Sequence, residues 1–201
     1  MRVFLGGDLR SRLFELLDEA RGHIYAALFE LSDEAILTKL KKLKSRAHIV
    51  LSNGTHKSRT DDENTEARAD LVENRCEVFN RMLPAKTLGH NKFMVITDEG
   101  KKPLCAWTGS TNWTPTGLCT QINNGLLVND PQVAQIFFDQ WTRLQNAGDD
   151  VPPTLVKTNS VKKSATVGGS DIEVWFARTS SQEEMQPVID LVNGAKQGSS
   201  F

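Results

Sequence analysis

The chain has 201 residues, of which 39% are hydrophobic and 24% charged, and its formal net charge is −1. These values are typical of a globular protein and exclude a chain that is basic overall, although a local basic patch remains compatible with them. No apolar run approaches the ~20 residues that cross a bilayer, and the start of the chain is unlike a signal peptide. The sequence therefore favours a cytoplasmic protein, with peripheral attachment to a membrane left open.

Three cysteines without CxxC spacing and four scattered histidines indicate no metal site, and no cofactor is expected.

Strands and helices alternate along most of the chain. Apolar runs predict strands at residues 2–5, 23–29, 47–51, 77–80, 93–96, 104–108 and 126–128. Apolar residues with helical spacing predict amphipathic helices that include residues 13–20, 36–43, 66–74 and 132–146. This alternation predicts an α/β lobe over residues 1–146, in which a mixed, mostly parallel sheet carries helices on both faces.

A polar loop, residues 55–64, follows the third predicted strand and contains His56, Lys57 and Arg59. Open α/β sheets tend to place ligand-binding loops at the carboxyl ends of their strands. The segment is therefore either an ordinary surface loop or one that helps to hold a substrate that carries phosphate.

Four polar side chains flank two successive predicted strands. His90 and Lys92 stand at the start of one strand, and Ser110 and Asn112 follow the end of the next. Residues two apart on a strand point to the same face, and a turn between the strands brings the two pairs together. An imidazole, an ammonium, a hydroxyl and an amide can then hold several oxygens of one phosphate group. The imidazole can also attack phosphorus as a nucleophile.

His90-x-Lys92 followed by Gly109-Ser110-x-Asn112 resembles the HKD signature of the phospholipase D superfamily, and the likeness extends over about residues 1–146. The resemblance implies a phosphodiesterase that works without a metal, through a phosphohistidine formed on His90. It also implies that Lys92, Ser110 and Asn112 hold the phosphate oxygens. A second histidine must protonate the leaving group, so the expected partner is a second HKD lobe in the same protein or in a homodimer.

The motif departs from the family pattern at two places. The family's aspartate stands five positions after the lysine, where this chain has Thr97, with the acid one position later at Asp98. A bulge would absorb the extra residue; otherwise Asp98 is a turn residue. Many members also carry an acid beyond GSxN that orients the histidine. This chain has amides there instead, and the candidates for supporting residues are Gln121, Asn123 and Asn124.

The composition changes after the last predicted helix of the lobe. Residues 147–170 contain Pro152-Pro153, glycines and small polar residues, which predict a linker. Residues 171–201 repeat the strand and helix of the chain's start, with Val192 at the position of Leu17. They are expected to begin a second, truncated phospholipase D-like lobe. The alternative is a strand and helix that complete the first lobe or exchange with a neighbouring copy.

Three functions remain open from the sequence. Cleavage or transfer of phospholipid head groups leads, and it predicts an apolar rim around the site. The second is an endonuclease that acts on DNA or RNA, which predicts a basic track around the site and salt-dependent binding. That track would consist of Lys57, Arg59, Arg81, Lys86, Lys101 and Lys102. The third is a phosphate-binding lobe without catalysis, which the missing acid and the missing second motif favour.

Overall fold

A computed structural model describes residues 8–195, which fall into two compact units at residues 1–150 and 151–201. The strand predicted at residues 2–5 lies outside the described residues. The strands of the first unit are β1 (Ile24–Leu28), β2 (Ala47–Ser52), β3 (Glu77–Arg81), β4 (Lys92–Thr97), β5 (Pro103–Gly109) and β6 (Gly125–Val128). Its helices are α1 (Asp8–Glu19), α2 (Glu34–Leu43), α3 (Thr65–Glu73), α4 (Pro115–Cys119) and α5 (Pro131–Ala147), with a short 3₁₀ turn at Lys44–Arg46.

The six strands form one sheet in the order β3-β2-β1-β4-β5-β6. β1 pairs in parallel with β2, and β2 with β3, whereas the β1–β4, β4–β5 and β5–β6 pairs are antiparallel. Four strands (β1, β2, β3 and β5) consequently run in one direction, and β4 and β6 run in the other. This confirms the prediction of a mixed sheet in which most strands share a direction, and β4 and β5 are the antiparallel pair expected for the motif strands.

Helices cover both faces of the sheet, as predicted. Alternate residues of β1 point to opposite faces. Ile24 and Leu28 belong to the core that α1 and α2 close, while the Tyr25 ring meets Trp141 of α5 edge-on, with centroids 4.9 Å apart. The Trp141 indole also donates a hydrogen bond to the Ala26 carbonyl at 3.0 Å. These contacts hold the central strand between two helical layers, so the ends of the strands are the parts left for a site.

The amino end of α2 is fastened to the segment that follows β5. Asp33 caps α2 by accepting hydrogen bonds from the amides of Ala35 and Ile36, at 3.1 and 3.0 Å. The amides of Ser32 and Asp33 both donate to the Trp113 carbonyl, at 3.0 and 3.1 Å. These bonds fix the start of α2 and the GSxN segment relative to each other.

Regular secondary structure occurs within residues 147–170, which the sequence predicts to be a linker. The second unit contains α6 (Pro153–Asn159) and an antiparallel hairpin of β7 (Lys163–Val167) and β8 (Ser170–Val174), followed by α7 (Gln186–Gly194). Pro153 starts a helix because proline suits the first helical position. Gly168 and Gly169 adopt positive φ values of 57° and 83°, which a two-residue hairpin turn requires. That residues 171–201 begin a second lobe stays a prediction.

In the described part of the chain, no helix combines the length and the apolar character needed to cross a membrane.

Candidate active site

The register of the sheet gathers the motif at one edge. Leu28, the last residue of β1, pairs with Lys92, the first residue of β4. Phe93 pairs in turn with Thr108, one residue before the end of β5. The residues just beyond these positions therefore meet at the edge where β1 and β5 end and β4 begins, and they include His90 and the GSxN segment.

The residue before His90, Gly89, comes close to the end of β2. A Cβ atom on Gly89 would lie 2.8 Å from the Ser52 hydroxyl oxygen, so only glycine fits there without movement. The exposed His90 ring meets Phe29 edge-on, with centroids 4.7 Å apart. Burial, and then the charge of Lys92, lower the pKa of His90 below its ordinary 6.5. The imidazole is thus neutral at pH 7, the state in which it can act as a nucleophile.

Lys92 brings a largely buried ammonium to the same edge. Its side chain runs over the Phe29 ring, with Nζ 5.2 Å from the ring centroid, and Nζ makes a long contact of 3.5 Å to the His90 carbonyl oxygen. Burial lowers the pKa of Lys92 to about 8, and the charge of Glu30 opposes that shift. Lys92 is mostly protonated at pH 7, and an anion that binds beside it would stabilise its charge.

Asn112 is positioned by the backbone contacts of the next residue, Trp113. Trp113 forms an isolated parallel bridge with Leu31, and its amide donates to the Glu30 carbonyl at 3.1 Å. The Asn112 Oδ1 atom is buried, and the protein supplies no hydrogen-bond partner for it. Buried polar atoms of this kind are normally satisfied by water or by a ligand.

Ser110 is bonded to the loop before β6. Its hydroxyl donates to Asn123 Oδ1 at 3.0 Å and accepts from the Asn124 amide at 3.0 Å. The Asn123 amide group in turn donates to the Gly117 carbonyl at 2.9 Å and to Gln121 Oε1 at 3.1 Å. Of the proposed supporting residues, Asn123 thus acts on Ser110 directly and Gln121 acts through Asn123. The Ser110 hydroxyl has one hydrogen, so it can donate to a phosphate oxygen only if its hydrogen bond to Asn123 is broken.

Asp98 lies at the other end of β4 from Lys92. Its carboxylate accepts the Lys102 amide at 2.8 Å and so stabilises the turn between β4 and β5. The pairing does shift between Ile96 and Thr97, but the extra residue, Leu104, is on β5 and does not bring Asp98 into register. Thr97 keeps the fifth position after Lys92. Its hydroxyl accepts the His23 amide at 3.2 Å and ties β4 to the start of β1.

Glu30 is a site residue that the sequence analysis missed. It stands two residues after the end of β1, and its carboxylate is influenced by the charge of Lys92 and by the Asn112 side chain, both of which lower its pKa. The only signal for it in the sequence is an acid placed at the end of a central apolar strand. The described residues contain no group of three histidine, cysteine or acidic side chains that could hold a metal ion.

Only part of the predicted basic track lies at this edge, and several of its members are already engaged by the protein. Lys101 and Lys102 lie in the turn at the far end of β4. Arg81 is buried and donates to the backbone carbonyls of Gly148 and Asp150, at 2.7 and 3.1 Å. The remaining members of the track include two that are ion-paired, Lys57 with Glu63 at 3.4 Å and Arg59 with Asp150 at 2.9 Å. Lys86 is exposed.

Two exposed apolar side chains lie beside the motif instead. Leu88, two residues before His90, is 49% exposed, and Ile122, next to Asn123, is 106% exposed. The loop at residues 55–64 contacts the segment before the motif through a hydrogen bond from the Lys86 amide to the His56 carbonyl at 2.9 Å.

Comparisons with solved structures show the same fold. The fold is similar to that of Nuc, a phospholipase D family member from Salmonella typhimurium, with a TM-score of 0.59 and 19% identity over 72% of this chain and 91% of that chain. NucT from Helicobacter pylori matches over the same fractions with a TM-score of 0.55 and 14% identity. None of the curated proteins matches the chain.

The sequence itself identifies the family. The profile of the family described as "Cardiolipin synthase, PLD-like domain" matches residues 13–144, which is most of the chain and includes His90, Lys92, Ser110 and Asn112. The match confirms the resemblance drawn from the motif. The chain therefore belongs to the phospholipase D superfamily.

Proposed function

We propose that this protein cleaves phosphodiesters through a phosphohistidine at His90 and that its substrates are phospholipids. The observation that carries the proposal is the meeting of His90, Lys92 and Asn112 at one edge of the sheet, where β1 ends and β4 begins. Superfamily members act on phosphodiesters, and this group supplies a neutral imidazole, an ammonium and an amide for one phosphate.

The reaction has two steps. The neutral His90 imidazole attacks phosphorus, the bond to the leaving alcohol oxygen breaks, and that oxygen takes a proton from a second histidine. Water then attacks the phosphohistidine, gives its proton to the second histidine and releases His90. Lys92 and Asn112 stabilise the negative charge that grows on the phosphate oxygens during both steps.

The second histidine comes from outside this lobe, because the sequence contains HxK once. A second HKD lobe of the same protein or a second copy of this chain would supply it. Light scattering on the purified chain therefore accompanies any assay, because a dimer can complete the site and a monomer cannot.

The surroundings of the motif favour a lipid over a nucleic acid. Exposed Leu88 and Ile122 give the apolar rim that a lipid substrate needs, whereas Lys101 and Lys102 lie at the opposite end of β4 from His90. A nucleic-acid site depends on unpaired basic side chains along the track of the phosphates. Arg59 and Arg81 are instead engaged by Asp150 and by backbone carbonyls.

The test compares three substrates on the same sample: bis-p-nitrophenyl phosphate, phosphatidylcholine vesicles and single-stranded DNA. If the chain is a dimer, we expect turnover of the first two and loss of both activities in His90→Asn, because the substitution removes the nucleophile. We expect a monomer to be inactive. Cleavage of DNA without release of choline would favour the nuclease instead. Sulfate binding near His90 without turnover by a dimer would favour a lobe that only binds phosphate.

A further inference from the structure

Glu30 is held firmly at the edge of the sheet where the phosphate would bind. Its carbonyl accepts the Trp113 amide at 3.1 Å, and the next amide, that of Leu31, donates to Asn64 Oδ1 at 2.9 Å. The Asn64 side chain also donates to the Phe29 carbonyl at 2.7 Å. Because the backbone is bonded before, at and after Glu30, its Cα atom is fixed at this edge of the sheet.

The carboxylate faces the groups that would bind the phosphate. The Lys92 ammonium on β4 attracts it, and the Asn112 side chain also favours its ionised form. Glu63, from the loop before α3, is the other charged group that acts on it. Burial raises the pKa of Glu30, Lys92 lowers it, Glu63 raises it and the Asn112 side chain lowers it. An amide nitrogen has two hydrogens, so Asn112 can donate to a phosphate oxygen and still have a hydrogen for a carboxylate.

The charges at this edge almost cancel before any ligand binds. His90 is neutral at pH 7, Lys92 carries one positive charge, and an ionised Glu30 carries one negative charge. A phosphate held by Lys92 and Asn112 lies beside the Glu30 carboxylate. The resulting repulsion is proportional to the charge on the phosphate, so a dianion is disfavoured twice as strongly as a monoanion.

We propose that Glu30 is a specificity-determining residue that makes this site prefer phosphodiesters, which carry one negative charge, over phosphate monoesters, which carry two. The inference rests on the proposed function, because it takes Lys92 and Asn112 as the groups that bind the phosphate. It also explains how product would leave. Hydrolysis of a phosphodiester gives a monoester that ionises a second time near pH 6, and Glu30 repels that dianion.

The experiment compares sulfate with methyl sulfate, two tetrahedral anions of charge −2 and −1 that do not titrate near pH 7. Their dissociation constants are measured by NMR titration at constant ionic strength in the wild type and in Glu30→Gln, which keeps the shape and a hydrogen-bond acceptor. The quantity of interest is the preference for sulfate over methyl sulfate. We expect Glu30→Gln to raise that preference on the order of threefold.

Three controls separate charge from shape. Glu30→Asp keeps the charge and is expected to keep the wild-type preference, as is Glu99→Gln, which removes an exposed carboxylate from the far turn of β4. Glu30→Ser provides a second neutral variant if Glu30→Gln fails to fold. An unchanged preference in the neutral variants, or the same change in Glu30→Asp, would overturn the role of Glu30 and leave the phosphate site standing. A wild type that binds neither anion would overturn the phosphate site and this inference together.

Discussion

The two ends of the central sheet contain similar side chains that are used in different ways. At the motif end, His90 stands near Lys92 and Glu30. At the other end, His23 Nδ1 lies 2.9 Å from His48 Nε2, and His48 Nδ1 lies 2.6 Å from a carboxylate oxygen of Glu77. Both ends therefore combine histidine with an acid, but only one end matches the signature of an enzyme family.

The difference lies in how completely the protein satisfies each group. His48 is 5% exposed, its two ring nitrogens have protein partners, and its ring stacks on Tyr25 with centroids 4.4 Å apart. His90 is exposed, and Asn112 near it retains a buried oxygen that the protein does not satisfy. Groups whose hydrogen bonds are complete within the fold stabilise it, and groups left incomplete are those that a ligand can engage. Hydrogen bonding, more than residue type, separates the two histidine sites.

Replacing Lys92 by methionine should have the largest effect at the motif end. Removing the ammonium takes away the charge that holds the phosphate, so kcat/KM for bis-p-nitrophenyl phosphate should fall by about 10²–10³-fold. The same substitution should raise the melting temperature, because burial already lowers the pKa of Lys92 to about 8 and an apolar side chain of similar length avoids that cost. Initial rates and thermal unfolding of the same preparation measure both effects.

Lys101→Met is the matched control, because Lys101 is an exposed lysine at the far end of the same strand. It should change neither the rate nor the melting temperature. A Lys92→Met variant with a rate within a few-fold of the wild type would contradict the assignment of Lys92 as a phosphate ligand.

Gly89→Ala should have a smaller effect that comes from geometry alone. The added Cβ would lie 2.8 Å from the Ser52 hydroxyl oxygen and 3.3 Å from Leu83 Cδ1, so the segment before His90 must move. We expect kcat to fall about tenfold, because a small displacement of a nucleophile is costly. Stability should fall by ~1–3 kcal/mol, the usual cost of overpacking.

Gly194→Ala serves as the comparison, because nothing lies within 4 Å of a Cβ placed there. Urea unfolding and single-turnover rates are the measurements. Full activity in Gly89→Ala would mean that the contact with Ser52 does not position His90.

The sequence signals of the motif end are local. His90 and Lys92 stand two apart before an apolar strand, and Ser110 and Asn112 follow the next strand, so a single antiparallel pair brings them together. The helices were predicted for the same reason, since their apolar spacing is visible within a few turns. Local periodicity was enough to predict most of the strands and helices of the first unit.

The features that the sequence missed depend on contacts between distant segments. Glu30 reaches Lys92 and Asn112 only through the register of β1 against β4, and Thr97 meets His23 in the same way at the other end. Polar and glycine-rich composition hid the hairpin at 163–174, because the same residues are typical of linkers and of tight turns. Composition describes which residues are present and does not describe how they pair.

The smallest expected effect concerns acid stability at the far end of the sheet. Burial lowers the pKa values of His23 and His48 below 6.5, although Glu77 acts in the opposite direction on both. Between each lowered pKa and 6.5 the unfolded chain binds more protons than the folded protein, so the free energy of unfolding must fall as the pH drops below 6.5. His48→Phe keeps an aromatic ring against Tyr25 and removes one titrating group. The free energy of unfolding of this variant should be about 1 kcal/mol lower than that of the wild type at pH 8, because hydrogen bonds are lost. Between pH 8 and 5.5 it should fall by less than that of the wild type. Urea unfolding followed by tryptophan fluorescence measures both.

His90, whose pKa is also lowered, is the matched comparison. His90→Asn should also make stability depend less on pH. It should not reduce stability at pH 8, because the ring of His90 lacks the paired hydrogen bonds of His48. Equal losses at pH 8 in the two variants would show that the two ends of the sheet do not differ in the way their hydrogen bonds indicate.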